Sequence, residues 1–280
     1  MSSVKTLLVT GVSSGFGRAL AIEAIAVGHR VIGTVRSESA RQTFEALAPS
    51  QAFGRLLDVT DFERIDPAIV EMESSLGPID VLVNNAGYGH EGIFEESSLA
   101  EIRHQFDVNV FGAVAVTKAL LPYLRQRRRG HIINITSMGG FITLPGVADY
   151  CGSKFALEGL SEALGKELKP FNIAVTAVAP GSFRTDWAGR SMVRSPRSIA
   201  DYDALFDPIR TAREAKSGKQ LGDPVKAARA ILALIASDQP PAHLLLGSDA
   251  LALVREKLVH YAVELDAWEA VTRSTDFDAV

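Results

Sequence analysis

Lys5-Thr6-Leu7-Leu8-Val9-Thr10 runs directly into Gly11-Val12-Ser13-Ser14-Gly15-Phe16-Gly17, and from there into a segment of helical period over 16–27. The opening run is short and apolar at its centre, as expected of a strand buried on both faces. The glycines permit φ > 0 and a close backbone approach to a ligand. The helix behind them aims its first amides and its dipole at whatever occupies the turn. A plain turn would also use glycine, but this one joins the first predicted strand to the first predicted helix, the place where a dinucleotide's pyrophosphate sits.

Outward from that joint the pattern repeats. Strands are predicted at Lys5–Thr10, Arg30–Val35, Ala52–Leu57, Val81–Asn84, His131–Ser137, Ile173–Val178 and His243–Leu246. Helices are predicted near 16–27, 38–47, 61–75, 99–128, 147–169, 223–236 and 249–270. Strand–helix alternation with right-handed crossovers gives an α/β fold, a Rossmann-type doubly wound parallel sheet of about seven strands with helices on both faces. No linker or repeat divides residues 1–280, so one catalytic domain is expected. The alternation breaks only at about 182–222, which holds Arg184, Arg190, Arg194, Arg197, Pro196 and Pro208. A long insertion after a strand's carboxyl end reads as a substrate-binding lid, or else as a surface loop without a role.

Composition narrows the function. With 29 Lys and Arg against 33 Asp and Glu the formal net charge is −4, so a broad cationic face for nucleic acid or anionic lipid is not expected. No window is apolar for the roughly 18 residues that a membrane span needs, and the N-terminus lacks a secretory pattern. One cysteine, Cys151, excludes an internal disulfide, and the six histidines show no metal-ligand spacing. A cytoplasmic protein without a metal is the expectation.

A second chemical motif is Tyr150-Cys151-Gly152-Ser153-Lys154, at the start of a predicted helix. A spacing of four puts Tyr150 and Lys154 on one face. A free phenol titrates near 10, too high for acid–base work at neutral pH. An ammonium about 5–6 Å away favours phenolate by roughly 3 kcal/mol at an effective dielectric near 20, about two pKa units.

Together the two motifs resemble those of the short-chain dehydrogenase/reductase family. The likeness rests on Thr10-Gly11 with Gly15 and Gly17, on Asn84-Asn85-Ala86-Gly87, on Asn109, Ser137, and Tyr150 with Lys154, and on Pro180-Gly181 with Thr185. It extends over roughly residues 4–188. The resemblance implies Tyr150 as general acid or base, and Lys154 lowering its pKa and holding the nicotinamide ribose. Ser137 would hold the substrate oxygen, and Asn109 a water linking Lys154 to solvent. It also implies cofactor contacts at Gly11, Ser13, Ser14, Gly15, Phe16, Gly17, Asp58, Val59, Asn85, Ala86, Gly87, Tyr150, Lys154, Pro180, Gly181, Phe183 and Thr185, with Asp58 accepting from the adenine amino group.

Cofactor choice turns on Gly33-Thr34-Val35-Arg36-Ser37, at the end of the second predicted strand. NAD enzymes carry an acid there for the ribose 2′-hydroxyl. Here Val35 takes that place and Arg36 follows, a guanidinium suited to a 2′-phosphate, with Ser37 as an added donor. NADP(H) is therefore expected, and carbonyl reduction or the reverse alcohol oxidation as the reaction. An NAD-linked alcohol dehydrogenase and a non-catalytic nucleotide-binding regulator are the alternatives.

Met138, Phe141, Leu144, Phe183, Trp187 and Met192 are expected to wall an apolar substrate beside Ser137 and Tyr150. Tyr88 and His90 are read as either substrate contacts or surface. Arg125-Gln126-Arg127-Arg128-Arg129 reads as a solvated helix end, and Cys151 as packing. The helices near 99–128 and 147–169 are apolar around much of their surface, which favours a homodimer or homotetramer over a monomer.

Overall fold

A computed structural model describes residues 4–185, 187, 189 and 191–277. Arg190 lies outside the described residues. The chain runs β1 (Thr6–Val9), α1 (Gly15–Ala26), β2 (Arg30–Val35), α2 (Glu38–Glu45), β3 (Ala52–Leu56), α3 (Phe62–Leu76), β4 (Val81–Asn84) and β5 (Gly89–Glu91). It continues through α4 (Leu99–Phe106), α5 (Gly112–Arg127), β6 (Gly130–Ile135), α6 (Ala148–Leu168), β7 (Ile173–Pro180) and β8 (Met192–Arg194). Last come α7 (Asp203–Ala215), α8 (Pro224–Ala236), β9 (His243–Leu246) and α9 (Ser248–Arg273).

Seven strands form one sheet in the order β3-β2-β1-β4-β6-β7-β9, every neighbouring pair parallel. All seven predicted strands are in it, and three keep their predicted bounds. The order turns at β1, whose neighbours are β2 and β4, so the carboxyl ends of these strands open a crevice. Apolar layers cover both faces. Leu7, Val9, Val31 and Val83 pack toward α1 and α8, and Leu8, Ile32, Leu82 and Ile132 toward α3 and α5. Alternate residues of one buried strand thus serve opposite cores, which is why the strands read as unbroken apolar runs.

Two expectations need correction, and the segment 182–222 gains detail. The helix expected over 99–128 is two helices joined by a π-helical turn, Asp107–Phe111, around Asn109. The turn inserts its extra residue where Asn109 bonds the backbone of Tyr88, a constraint that helical periodicity does not reveal. The segment 182–222, read as a lid or a surface loop, carries regular structure. Its ends are zipped by Arg184 N–H to Gly222 O and Gly222 N–H to Ser182 O, and between them lie β8 and α7. β8 pairs with β5 in a separate two-stranded parallel ladder. The basic tract at 125–129 is also not simply solvated. Arg127 makes a two-pronged bond to Glu73 and another to Ile79 O, while Arg128 takes the left-handed C-cap at φ 56°. Among the described residues no helix is long and apolar enough to cross a membrane.

Candidate active site

The glycine turn is pinned by the strands beside it. Gly11 N–H donates to Thr34 Oγ1 at 3.1 Å. Asn85 donates from Nδ2 to the carbonyls of Thr10 (2.8 Å) and Gly11 (3.0 Å), and the amides of Asn85 and Ala86 both donate to Thr10 Oγ1. Gly11 sits at φ 74° with Ala86 against it, and a side chain at Gly17 would collide with Gly11 O. So Gly11 and Gly17 are required by backbone conformation and close approach respectively. Ser14 precedes α1 in extended conformation and makes no side-chain cap, and no carboxylate occupies the helix's first turn. The first amides of α1 therefore face the crevice without an internal acceptor, which fits a bound phosphate. Thr185 stands across from Gly15, 3.9 Å from where a Cβ would lie.

Ser137, Tyr150 and Lys154 meet beyond the end of β6. Ser137 caps a short 3₁₀ turn by accepting from Gly139 N–H at 3.0 Å, and its hydroxyl lies close enough to the Tyr150 phenol to favour the phenolate. Lys154 donates to Ile135 O at 2.9 Å, with its ammonium 5.8 Å from the Tyr150 ring centre. The lysine is at the expected distance, yet the phenol is not lowered. Burial pushes Tyr150 up to about 12, and Ser137 only partly offsets it. Burial also lowers Lys154 to about 8, against the charge of Glu158 one turn on. Desolvation outweighs a single ammonium when both groups are enclosed. Glu158, missed in the sequence, bonds Thr136 and His243 and is itself raised by burial.

Asn109 is buried in the π-turn and fully engaged by protein. Its Oδ1 accepts from Tyr88 N–H, and its Nδ2 donates to Tyr88 O and to Ser153 Oγ. These bonds clamp the strand end carrying Gly87 to α6, three residues from Tyr150.

Arg36, Leu56, Leu57, Asp58, Asp61 and Arg64 line a cavity of about 240 Å³ past the end of β2. Arg64 was not singled out from sequence, because it is brought to Arg36 only by the β2–β3 pairing and the start of α3. Asp58 Oδ1 accepts from Thr60 N–H and Oγ1. Burial works against its charge, but these bonds and Arg36 hold it below the usual carboxylate range. Ser37 caps α2 by accepting from Ala40 N–H, so its hydroxyl already has a structural task. Val59 packs on Gly112, leaving its backbone for any ligand contact.

His90 and Glu91 belong to neither of the environments expected for His90. Both are fully buried in β5. His90 Nδ1 lies 2.6 Å from Asp149 Oδ2, directly before Tyr150, and Nε2 lies 2.9 Å from Ser195 Oγ, just after β8. Burial opposes the imidazolium, but Asp149 and, behind it, Glu101 outweigh this and raise His90 above its ordinary value. Its contribution to stability is then complete below about pH 6.5 and is lost as pH rises through the raised folded-state value. Urea midpoints measured from pH 6 to 9 should fall over that window in the wild type. His90→Asn should abolish that fall; an identical pH slope in the variant would remove His90 as its source.

The substrate wall is only partly as expected. The Trp187 ring packs 5.0 Å from the Tyr150 ring and runs over Gly89. Phe183 turns into the core against Phe16 (5.1 Å) and Gly222, and Phe141 packs on His243. These two rings are taken up by the sheet's edge rather than by a substrate cleft. Met138 is half-buried, Met192 is buried in β8 and Leu144 is exposed. After Pro180, Gly181 admits no side chain because Asp249 fills that space, accepting from Ser182 N–H. Among the described residues no cluster of His, Cys, Asp and Glu fits a metal.

Strand ends that present a dinucleotide turn on one side and a buried acid–base cluster on the other are the working face of a nicotinamide-dependent oxidoreductase. The chain belongs to the short chain dehydrogenase family, which matches residues 5–193. Among its relatives is Oxidoreductase BOA17 of Botryotinia fuckeliana, 36% identical over 88% of this chain and 90% of that one. A 3-ketodihydrosphingosine reductase of Bacteroides thetaiotaomicron is 38% identical over 84% of this chain and 85% of its own. The crystal structure of a short-chain dehydrogenase from Streptomyces avermitilis, 42% identical, covers 98% of this chain and all of its own at a TM-score of 0.91. Three structures at 25% identity carry cofactors, two of them of ElxO. ElxO with NADP bound aligns at TM-score 0.74 over 89% of this chain and all of its own. A Burkholderia phymatum enzyme in complex with NAD aligns at 0.79 over 94% and 95%. The family binds nicotinamide cofactors of both kinds.

Proposed function

We propose that this protein is an NADP(H)-dependent oxidoreductase that interconverts a ketone or aldehyde with its alcohol, with Tyr150 as the general acid or base. The observation that carries the proposal is the enclosure of Ser137, Tyr150 and Lys154 at the carboxyl end of β6, on the same side of the sheet as the open N-terminus of α1. When bound, the nicotinamide supplies or accepts the hydride. Ser137 donates a hydrogen bond to the substrate oxygen, stabilising charge as it develops. Tyr150 gives that oxygen its proton in reduction and takes it back in oxidation. Lys154 holds the ribose and stands beside the phenol as its proton source, while Asn109 fixes α6 against the Gly87 turn. The name of the Bacteroides relative, a ketone reductase, agrees with the reducing direction. Trp187 and Met192 suit an apolar body around the carbonyl.

The cavity holding Arg36 and Arg64 favours NADP(H), since two guanidiniums answer a 2′-phosphate better than a hydroxyl. An NAD-linked alcohol dehydrogenase would leave Arg36 without a cofactor contact. Fluorescence titration with NADPH and NADH separates the two. Arg36→Ala should weaken NADPH at least about tenfold, roughly 1.4 kcal/mol or more, with Arg64→Ala acting in the same direction and NADH little affected. NADH binding as tightly as NADPH would exclude the phosphate contact. A cytoplasmic homo-oligomer completes the proposal. Cys151 is buried and free, and pairing through α5 and α6 would cover Phe111, Phe155 and Leu160, which are exposed.

A further inference from the structure

α9 begins beside the cofactor loops and then leaves the body. Asp249 bonds Ser182 N–H, and Ala250 and Val254 are buried, but every residue from Arg255 to Arg273 is exposed. That overhang is about 28 Å of helix. Helices of this length gain most of their stability from packing an apolar face, so a bare one is incomplete.

Its apolar residues are ordered. Leu251, Val254, Leu258, Tyr261, Leu265 and Trp268 follow one another at steps of three and four. The stripe that seats α9 on the body at Val254 therefore continues beyond it, with Leu258, Tyr261, Leu265 and Trp268 between 51% and 65% exposed. No charged residue falls within the stripe. A 3–4 repeat is the seam of a helix that packs on another helix.

Charge selects the occupant. The overhang carries Glu256, Glu264, Asp266 and Glu269 against Arg255, Lys257 and Arg273, so it offers no basic face to an anionic lipid surface. Arg255 and Glu269 border the same edge of the seam, each seven residues from Ala262. An antiparallel copy crossing at Ala262 sets Arg255 of each helix opposite Glu269 of the other, and the small alanine lets the backbones approach. The other edge carries Lys257 and Glu264, again one cation and one carboxylate per helix. A patch that is complementary to itself closes as a two-fold pair.

We propose that the projecting half of α9 is a self-association surface, an antiparallel helix pair with a second copy of this chain through Leu258, Tyr261, Leu265 and Trp268. The proposal is independent of the catalytic assignment and of any pairing through α5 and α6.

Sedimentation equilibrium of the full chain tests it. Leu258→Glu with Leu265→Glu should halve the particle mass, whether the wild type is a dimer or a tetramer. NADPH affinity should stay at the wild-type value, which shows that the body of the variant is folded, while the thermal midpoint and helical circular dichroism should fall slightly as the projecting helix loses its partner. Arg255→Glu alone should weaken association several-fold, and adding Glu269→Arg should restore it. An unchanged mass in the double-Glu variant overturns the proposal. If that variant then loses binding to phosphatidylcholine or phosphatidylserine vesicles in flotation, the seam faces lipid instead. A charge swap that fails to restore association overturns the antiparallel arrangement.

Discussion

Tyr150→Phe should cut turnover by about 10²- to 10⁴-fold while NADPH binding stays near the wild-type value. The substitution removes one oxygen and little else. The ring keeps its stacking on Trp187 at 5.0 Å and its place among Val147 and Cys151. Ser137 keeps its bond from Gly139 N–H, so no buried hydroxyl is stranded. What is lost is the one titratable proton at the end of β6 that faces the Ser137 hydroxyl. The check is a screen of ketones and aldehydes with NADPH on the wild type, then kcat for the variant on the best substrate. A variant retaining a tenth or more of kcat defeats the mechanism. A wild type that binds NADPH yet turns over neither carbonyls nor alcohols points to the regulatory alternative.

Glu91→Ala should be the most damaging single change outside the chemical centre. Its carboxylate has no exposed surface and meets Arg194 at 3.1 Å, Arg210 at 2.8 Å and Arg213 at still closer range. Burial alone would raise its pKa, but Arg210 and Arg213 outweigh it and keep the group below the usual carboxylate range. Removing the acid takes away the buried carboxylate that Arg194, Arg210 and Arg213 share, although Arg194 keeps Glu214 and Arg213 keeps Pro145 O. Breaking a buried pair from one side typically costs about 3–5 kcal/mol. For a chain of this size that corresponds to a fall in melting temperature of the order of 10 °C. Because those arginines lie on β8 and α7, the insertion should also loosen and KM rise more than kcat falls. Glu71→Gln, which breaks an exposed pair with Arg55, is the control and should cost about 1 kcal/mol or less. Equal melting shifts for the two variants would show that Glu91 is not the clasp. The Glu91 contribution is present above the unfolded carboxylate pKa and is lost as pH falls through the depressed folded value.

The insertion shows where sequence reading stops. Arg194 and Arg197 were visible, but the buried carboxylates they meet, Glu91 and Glu96, lie about a hundred residues earlier. Arg197 reaches Glu96 at 2.8 Å, while Arg210 and Arg213 reach Glu91. Phe206, fully buried, is flanked by the guanidiniums of Arg197 and Arg210 and seated on Gly146. The links to Glu91 and Glu96 span about a hundred residues or more, so the pattern looked like a charged loop. Arg64 was overlooked beside Arg36 for the same reason, and the π-turn because one bond set around Asn109 is invisible to a 3.6-residue period.

What the sequence determined alone is whatever depends on local pattern. The seven strands follow from short β-rich runs between turns, the central ones largely apolar, the glycine joint from the steric needs of Gly11 and Gly17, and the Tyr150–Lys154 face from helical spacing. Tertiary structure decided the electrostatics and the contacts between distant segments. The Tyr150 phenol stands near 12 rather than below 10, because desolvation depends on how much protein surrounds a group and not on which residue lies four positions away. His90 and Glu91, adjacent in the chain, became a buried clasp only when β5 met β8 a hundred residues later and closed water off from both.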